Sequence, residues 1–167
     1  MKNLITLLVL LVTNLIAYSQ LDMVEFSYEN NKKIVKNINL DSLELVLVQK
    51  INTFRVENGL SVLSVDKSLS KYSKNWSLTM SQKKTLNHSR IENSNIIAEN
   101  VFSTISFGVF PMEKEYINDV ANRIFKGWCS STNHKNNMLN KDVSNIGVSI
   151  ILIPNGMIDE YSTMVVN

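Results

Sequence analysis

The C-terminal stretch from Ile146 to Val166 constrains the fold most. Ile146 to Ile153 is a nearly unbroken β-branched run, Pro154-Asn155-Gly156 is a turn signal, and Asp159 to Val166 is a second extended stretch. An apolar run without polar alternation belongs to a strand buried on both faces. The Pro-Asn-Gly break makes the pair a hairpin. Such a hairpin cannot stand in water alone, so the rest of the chain has to cover it.

Three amphipathic segments are available as cover. From about Ser42 to Asn58, Leu43, Leu47, Ile51 and Phe54 recur on one helical face, with Asp41 or Ser42 as the cap and Gly59 as the stop. Leu60, Val62 and Leu63 connect this helix to a second one that starts at Asp66 or Ser68. Leu69, Tyr72, Ser73, Trp76 and Met80 share a face of that second helix. A third, from about Glu113 to Trp128, places Ile117, Val120, Ala121, Ile124 and Trp128 at the same period. Ile96 to Phe102 reads as a short strand, Ser103 to Met112 as irregular, and His134 to Leu139 as one short helical turn. The sum is an α+β domain with helices over the faces of a small antiparallel sheet.

The N-terminus reads differently. Lys2 precedes an apolar run from Leu4 to Ile16, and Ala17-Tyr18-Ser19 is a small-x-small cleavage signal before Gln20. This is the pattern of a cleaved secretory signal over residues 1–19, and it is shorter than the ~20 residues a spanning helix needs. No cysteine follows the site to carry a lipid. Residues 20–40 read as a loose polar lead-in with room for one short strand, and residues 41–167 as the domain. The mature chain is expected to be secreted, extracellular or periplasmic, and not membrane-spanning.

Composition narrows the partners. Of 17 basic and 15 acidic residues, only Lys2 leaves with the signal. A nearly neutral domain with no basic cluster argues against nucleic acid and against a polybasic membrane patch. Cys129 is the single cysteine, so no internal disulfide forms and the core alone must hold the fold. Following Trp128 at a helix end, it reads as a buried thiol and not a nucleophile.

The two histidines remain, His88 in Asn87-His88-Ser89-Arg90 and His134 in Ser131-Thr132-Asn133-His134. Brought together with Glu99, they would form a polar cavity for a metal, a ligand or a proton. Two imidazoles and one carboxylate suit zinc. The alternative is a hydrogen-bonded cluster in which Glu99 orients the imidazoles. No nucleophile elbow surrounds Ser131, so it reads as a turn cap. Trp76 and Trp128 read as core. Ile105, Phe107, Val109 and Phe110 form an apolar cluster that either packs on the domain or acts as a lid or a lipid-contacting edge.

The order of these pieces resembles the CAP family, the SCP or PR-1-like secreted proteins. The resemblance runs from about Leu43 to Val166, through Ile51-Asn52-Thr53-Phe54-Arg55, Asp66, Trp76, His88-Ser89, Glu99-Asn100, Trp128, His134, Asn137 to Leu139, Ile146-Gly147-Val148 and Tyr161-Ser162-Thr163. It implies a three-layer α-β-α sandwich whose central cavity is lined by two histidines and two acids. His88, Glu99 and His134 match three of these, and Ser131 stands where the second acid is expected. The implied metal set is His88, Glu99 and His134, with Asn100 and Ser131 completing the cavity and no catalytic residue assigned. Family members are linked to lipid, sterol and protein partners. The resemblance therefore implies a binding module with lipid, envelope or protein partners, or alternatively a zinc-dependent hydrolase or peptidase acting on extracellular or cell-envelope substrates.

Overall fold

The computed structural model describes residues 28–91, 95–106 and 113–167, with isolated positions 12, 13, 16, 20 and 25. Most of the expected signal segment, and Phe107, Val109 and Phe110 of the apolar cluster after Ile105, lie outside the described residues.

The described part of the first helix, α1, is residues 28–37. It is followed by α2 (Leu40–Glu57), β1 (Ser64–Val65), α3 (Lys67–Lys83), β2 (Ala98–Ser106), α4 (Glu113–Ser130), α5 (Thr132–Met138), β3 (Asn145–Asn155) and β4 (Met157–Val166). The lead-in is thus helical, and not the loose segment or strand that its composition suggests. Ile34, Val35 and Ile38 give it an apolar stripe that packs on the core, and the surrounding Asn and Lys residues mask that stripe in the overall composition. Asn31 is buried and donates to the Gly156 carbonyl at 3.0 Å, which pins α1 to the β3–β4 turn.

Local chemistry sets the helix ends. Asp66 caps α3 as expected, accepting from the Ser68 and Leu69 amides. The cap of α2 is Asn39, whose side chain accepts from the Ser42 amide, so the helix begins before the expected Asp41 or Ser42. Gly59 and Gly156 take φ of +75° and +73°, the left-handed conformation needed after α2 and in the hairpin turn.

The four strands run in the order β1-β3-β4-β2. β3–β4 and β4–β2 are antiparallel; β1 is parallel to β3 through Ser64 and Val65 opposite Asn145 and Ile146. The sheet is therefore mixed, not purely antiparallel. β2 extends through Ser106 into the stretch expected to be irregular, paired with β4 down to Ile158. Its polar end is anchored by chemistry rather than apolar packing. Glu160, fully buried, accepts from the Ser106 hydroxyl at 2.6 Å and pairs with Arg123 of α4.

The sheet is covered on both faces. Alternate residues Ile146, Val148, Ile150 and Leu152 of β3, with Ile158, Met164 and Val166 of β4, meet Leu43, Leu47 and Ile51 of α2 and Val120, Ile124 and Trp128 of α4 in the main core. The intervening residues face α3, where Leu69 packs with Val165, and Met80 with Val101 and Tyr161. This second layer is partly polar. The Ser73 hydroxyl donates to the Gly147 carbonyl, and the Ser77 hydroxyl to Thr163. The three-layer α-β-α sandwich is the architecture that the resemblance implied.

A buried arginine and a partly buried glutamate complete the frame. Arg55 of α2 donates to the carbonyls of Ser61, Met138 and Asn140, each at 2.8 Å, tying α2 to the loop beyond it and to the end of α5. Glu44 accepts from the Ile150 amide at 3.0 Å, beyond the two residues that β1 covers. It closes a donor on the open edge of β3 that would otherwise be available for pairing.

Candidate functional site

The site forms where three segments meet on the far side of β2. His88 and Ser89 lie on the loop after α3, Glu99 and Asn100 at the start of β2, and Ser131 and His134 at the start of α5. Strand pairing fixes the middle pair, Glu99 opposite Val165 and Asn100 opposite Met164. The fold thus brings together residues that are well separated in sequence.

Glu99 is the hub. Its side chain is 1% exposed, while that of His88 is 57% exposed. Oε1 accepts from His88 Nδ1 at 2.9 Å and from the Ser89 amide at 2.9 Å; Oε2 accepts from the Ser89 hydroxyl at 2.6 Å. The Ser89 oxygen in turn is 2.7 Å from the Tyr72 hydroxyl. Both carboxylate oxygens are therefore committed to the His88-Ser89 loop. That satisfies a buried charge and fixes the imidazole with Nε2 as its free nitrogen.

His134 approaches from the other side, its ring centroid 5.7 Å from that of His88 with the planes tilted by 54°. Its backbone is locked: the Asn100 amide donates to the His134 carbonyl at 2.9 Å, and Asn137 donates to Asn100 Oδ1 at 2.8 Å and to the Glu99 carbonyl at 3.2 Å. Asn100 is thus a brace between β2 and α5. Ser131 is the α5 N-cap, its hydroxyl 3.5 Å from the His134 amide. Cys129 is partly buried against the main core, and burial raises its thiol pKa, which disfavours the thiolate.

Burial, and then the neighbouring His88, hold the His134 pKa below its ordinary value, against the opposing pull of Glu99. The sign follows from linkage. An imidazole with a depressed folded pKa takes up its proton in the unfolded chain first, so its stabilisation is complete above about pH 6.5 and is lost as pH falls toward the folded value. Urea midpoints should therefore fall between about pH 7 and pH 5, with a shallower slope in His134→Gln. Parallel curves for the two proteins would refute this.

Among the described residues, no three His, Cys, Asp or Glu side chains converge on a point that could hold an ion. Both Glu99 oxygens are turned to the His88-Ser89 loop, with the two imidazoles side by side above it. His88 and Ser89 open onto a groove of about 800 Å³ along α3, whose lining includes neither Glu99, Asn100, Ser131 nor His134. A second groove, of about 930 Å³ between α2 and α4, contains none of the expected site residues.

Ser89, Tyr72 and Asn137 are site members to which the sequence alone assigns no role. The signals are present: Ser89 adjoins His88, and Asn137 lies three residues after His134, on the same face of α5.

Comparison with known proteins agrees with this architecture. The family described as "CAP: Cysteine-rich secretory protein family" matches residues 48–166. No curated protein matches the sequence. Among solved structures, an outer surface protein from Borrelia burgdorferi superposes with a TM-score of 0.58 at 18% identity, over 78% of this chain and 96% of that one. BmVAL-1 does so with a TM-score of 0.55 at 16% identity, over 75% and 76%. An extracellular SCP-domain protein from Bacillus anthracis gives 0.51 at 14% identity, over 77% of this chain and 41% of that one. These likenesses share the fold alone, whereas the family match spans most of the chain, from within α2 to the end of β4: the protein belongs to the CAP family.

Proposed function

We propose that the protein is a secreted, non-catalytic binding module in which His88 and His134 together take a divalent ion reversibly. The observation that carries this reading is the commitment of both Glu99 oxygens to His88 and Ser89. Two imidazoles on one zinc, each about 2.0–2.1 Å from the metal, place their ring centroids about 5 Å apart. The 5.7 Å separation here needs only a small closure. The depressed His134 pKa keeps that imidazole unprotonated at neutral pH, as a ligand must be.

The same commitment speaks against hydrolysis. Metal-assisted hydrolysis needs about three protein ligands with an open position, and a base for the water. Here Glu99 is neither a free ligand nor a free base, and the Ser131 hydroxyl caps α5. A bound ion would instead bridge the α3–β2 loop to α5 and stiffen the wall of the groove beside His88.

The partner classes we propose are lipid, cell-envelope material or protein, met outside the cell after loss of residues 1–19. Extracellular and outer-surface occurrence of the structural neighbours supports that location, and among the described residues no helix is long and apolar enough to cross a membrane. The deciding measurement is calorimetric zinc titration of wild type, His88→Ala and His134→Ala. We expect one ion per chain, weakened at least tenfold in either variant. Equal binding by all three proteins would remove the site.

A further inference from the structure

The groove beside His88 has a chemistry of its own. Tyr72, Asn75, Trp76 and Thr79 lie at i, i+3, i+4 and i+7 along α3, so they form one stripe, and Asn87 to Arg90 form the facing wall. The volume of about 800 Å³ falls within the about 300–1,000 Å³ of small-ligand sites. Two aromatic rings line a trough that is otherwise amide, hydroxyl, imidazole and guanidinium.

The aromatic members are held in place. Trp76 Nε1 donates to the Asn87 carbonyl at 2.8 Å, and the Tyr72 hydroxyl meets Ser89. The trough is therefore built across the same loop that Glu99 clamps. The exposed amides of Asn75 and Asn87 and the Arg90 guanidinium line it without a side-chain bond to any described residue.

We infer that this trough binds an oligosaccharide bearing a carboxylate. Sugar rings present flat C–H faces that stack on indole and phenol, and their hydroxyls need donor-acceptor groups such as carboxamides. A guanidinium recognises a carboxylate through two parallel hydrogen bonds. A peptide would need deep apolar pockets for its side chains, and a polyphosphate would need several cations; the trough offers neither, with Arg90 the one Arg or Lys in its lining. The inference extends the binding role proposed above but requires no metal.

The test uses metal-free protein and two probes, a hyaluronan tetrasaccharide and uncharged chitotetraose. Trp128 is fully buried, so a change in tryptophan emission, or in the Trp76 indole N–H resonance, reports on the trough. We expect the hyaluronan fragment to shift the Trp76 signal and bind at least fivefold more tightly than chitotetraose. Arg90→Gln should abolish that preference, and Asn75→Ala should weaken both probes; both residues lie at the surface, so the fold is retained. No Trp76 response at millimolar tetrasaccharide, or binding indifferent to both substitutions, overturns the site. Equal binding of both probes overturns the carboxylate assignment. Any of these failures leaves the zinc titration of His88 and His134 unaffected.

Discussion

Gly147→Ala should destabilise the domain by about 3 kcal/mol or more, the upper range for overpacking a core. Gly147 sits in β3 directly against the start of α3. A Cβ built there falls inside contact distance of the Leu69 carbonyl carbon and the Ser70 nitrogen, which are helix backbone atoms. Backbone cannot rotate away, so α3 would have to lift. Lifting it breaks the Ser73 bond to the Gly147 carbonyl and the Ser77 bond to Thr163, and separates Leu69 from Val165. Since α3 also carries the loop with His88, the site should loosen along with the fold. Gly127→Ala is the control. The nearest atoms to its Cβ would belong to the ring of Phe102, a side chain and not main chain, so its cost should be visibly smaller. Trimming Leu69 to Ala should not rescue Gly147→Ala, because the obstruction is main chain. Urea unfolding of the three variants decides this; a rescue by Leu69→Ala, or equal costs for the two glycines, would sink the packing argument.

The legibility of this fold follows the strength of each local signal. The hairpin is plain because β3 is a nearly continuous apolar run and the Pro154-Asn155-Gly156 turn separates it from a second extended stretch. Helices α2, α3 and α4 are plain because their buried faces repeat at 3.6 residues. β1 is invisible in the sequence: two exposed residues carry no period, and its parallel pairing depends on where α2 and α3 deliver it. The second half of β2 is hidden because Ser103, Thr104 and Ser106 look like loop. Their strand character comes from pairing with β4 and from the buried Glu160 beneath Ser106, neither of which is local. α1 is hidden for the opposite reason, since Ile34 and Val35, with Ile38 just beyond the helix, form a stripe that an Asn- and Lys-rich stretch dilutes.

The candidate site shows the same division. That His88, Glu99 and His134 belong together is legible from their order among the family's motifs. Which way Glu99 points is not. A carboxylate between two histidines reads equally well as a metal ligand or as an orienting acid, and the outcome rests on Ser89, whose amide and hydroxyl take up the lone pairs a metal would use. Asn100 likewise resolves into a brace only once α5 is placed across β2.

That division makes Glu99→Gln the most informative change at the site. The substitution keeps shape and one acceptor. With its oxygen toward His88 and the Ser89 amide, the new –NH₂ faces the Ser89 hydroxyl, which can accept it while donating to Tyr72. The fold should survive at a cost of about 1–3 kcal/mol, the range for weakening a buried polar network. Zinc affinity should fall further in proportion, by about 10–100-fold, as it does when a partner behind a metal-bound imidazole is lost. If Glu99 were itself a ligand, the loss should be larger still, and Glu99→Asp, which shortens the reach to His88 but keeps the charge, should restore a good part of it. If Glu99 acts by orienting His88, Asp should fail nearly as badly as Gln, because the carboxylate then no longer spans Nδ1 and both donors of Ser89. Zinc titrations of the two variants, alongside their urea midpoints, separate the roles. Wild-type affinity in Glu99→Gln would mean that the ion, if it binds, does so away from His88.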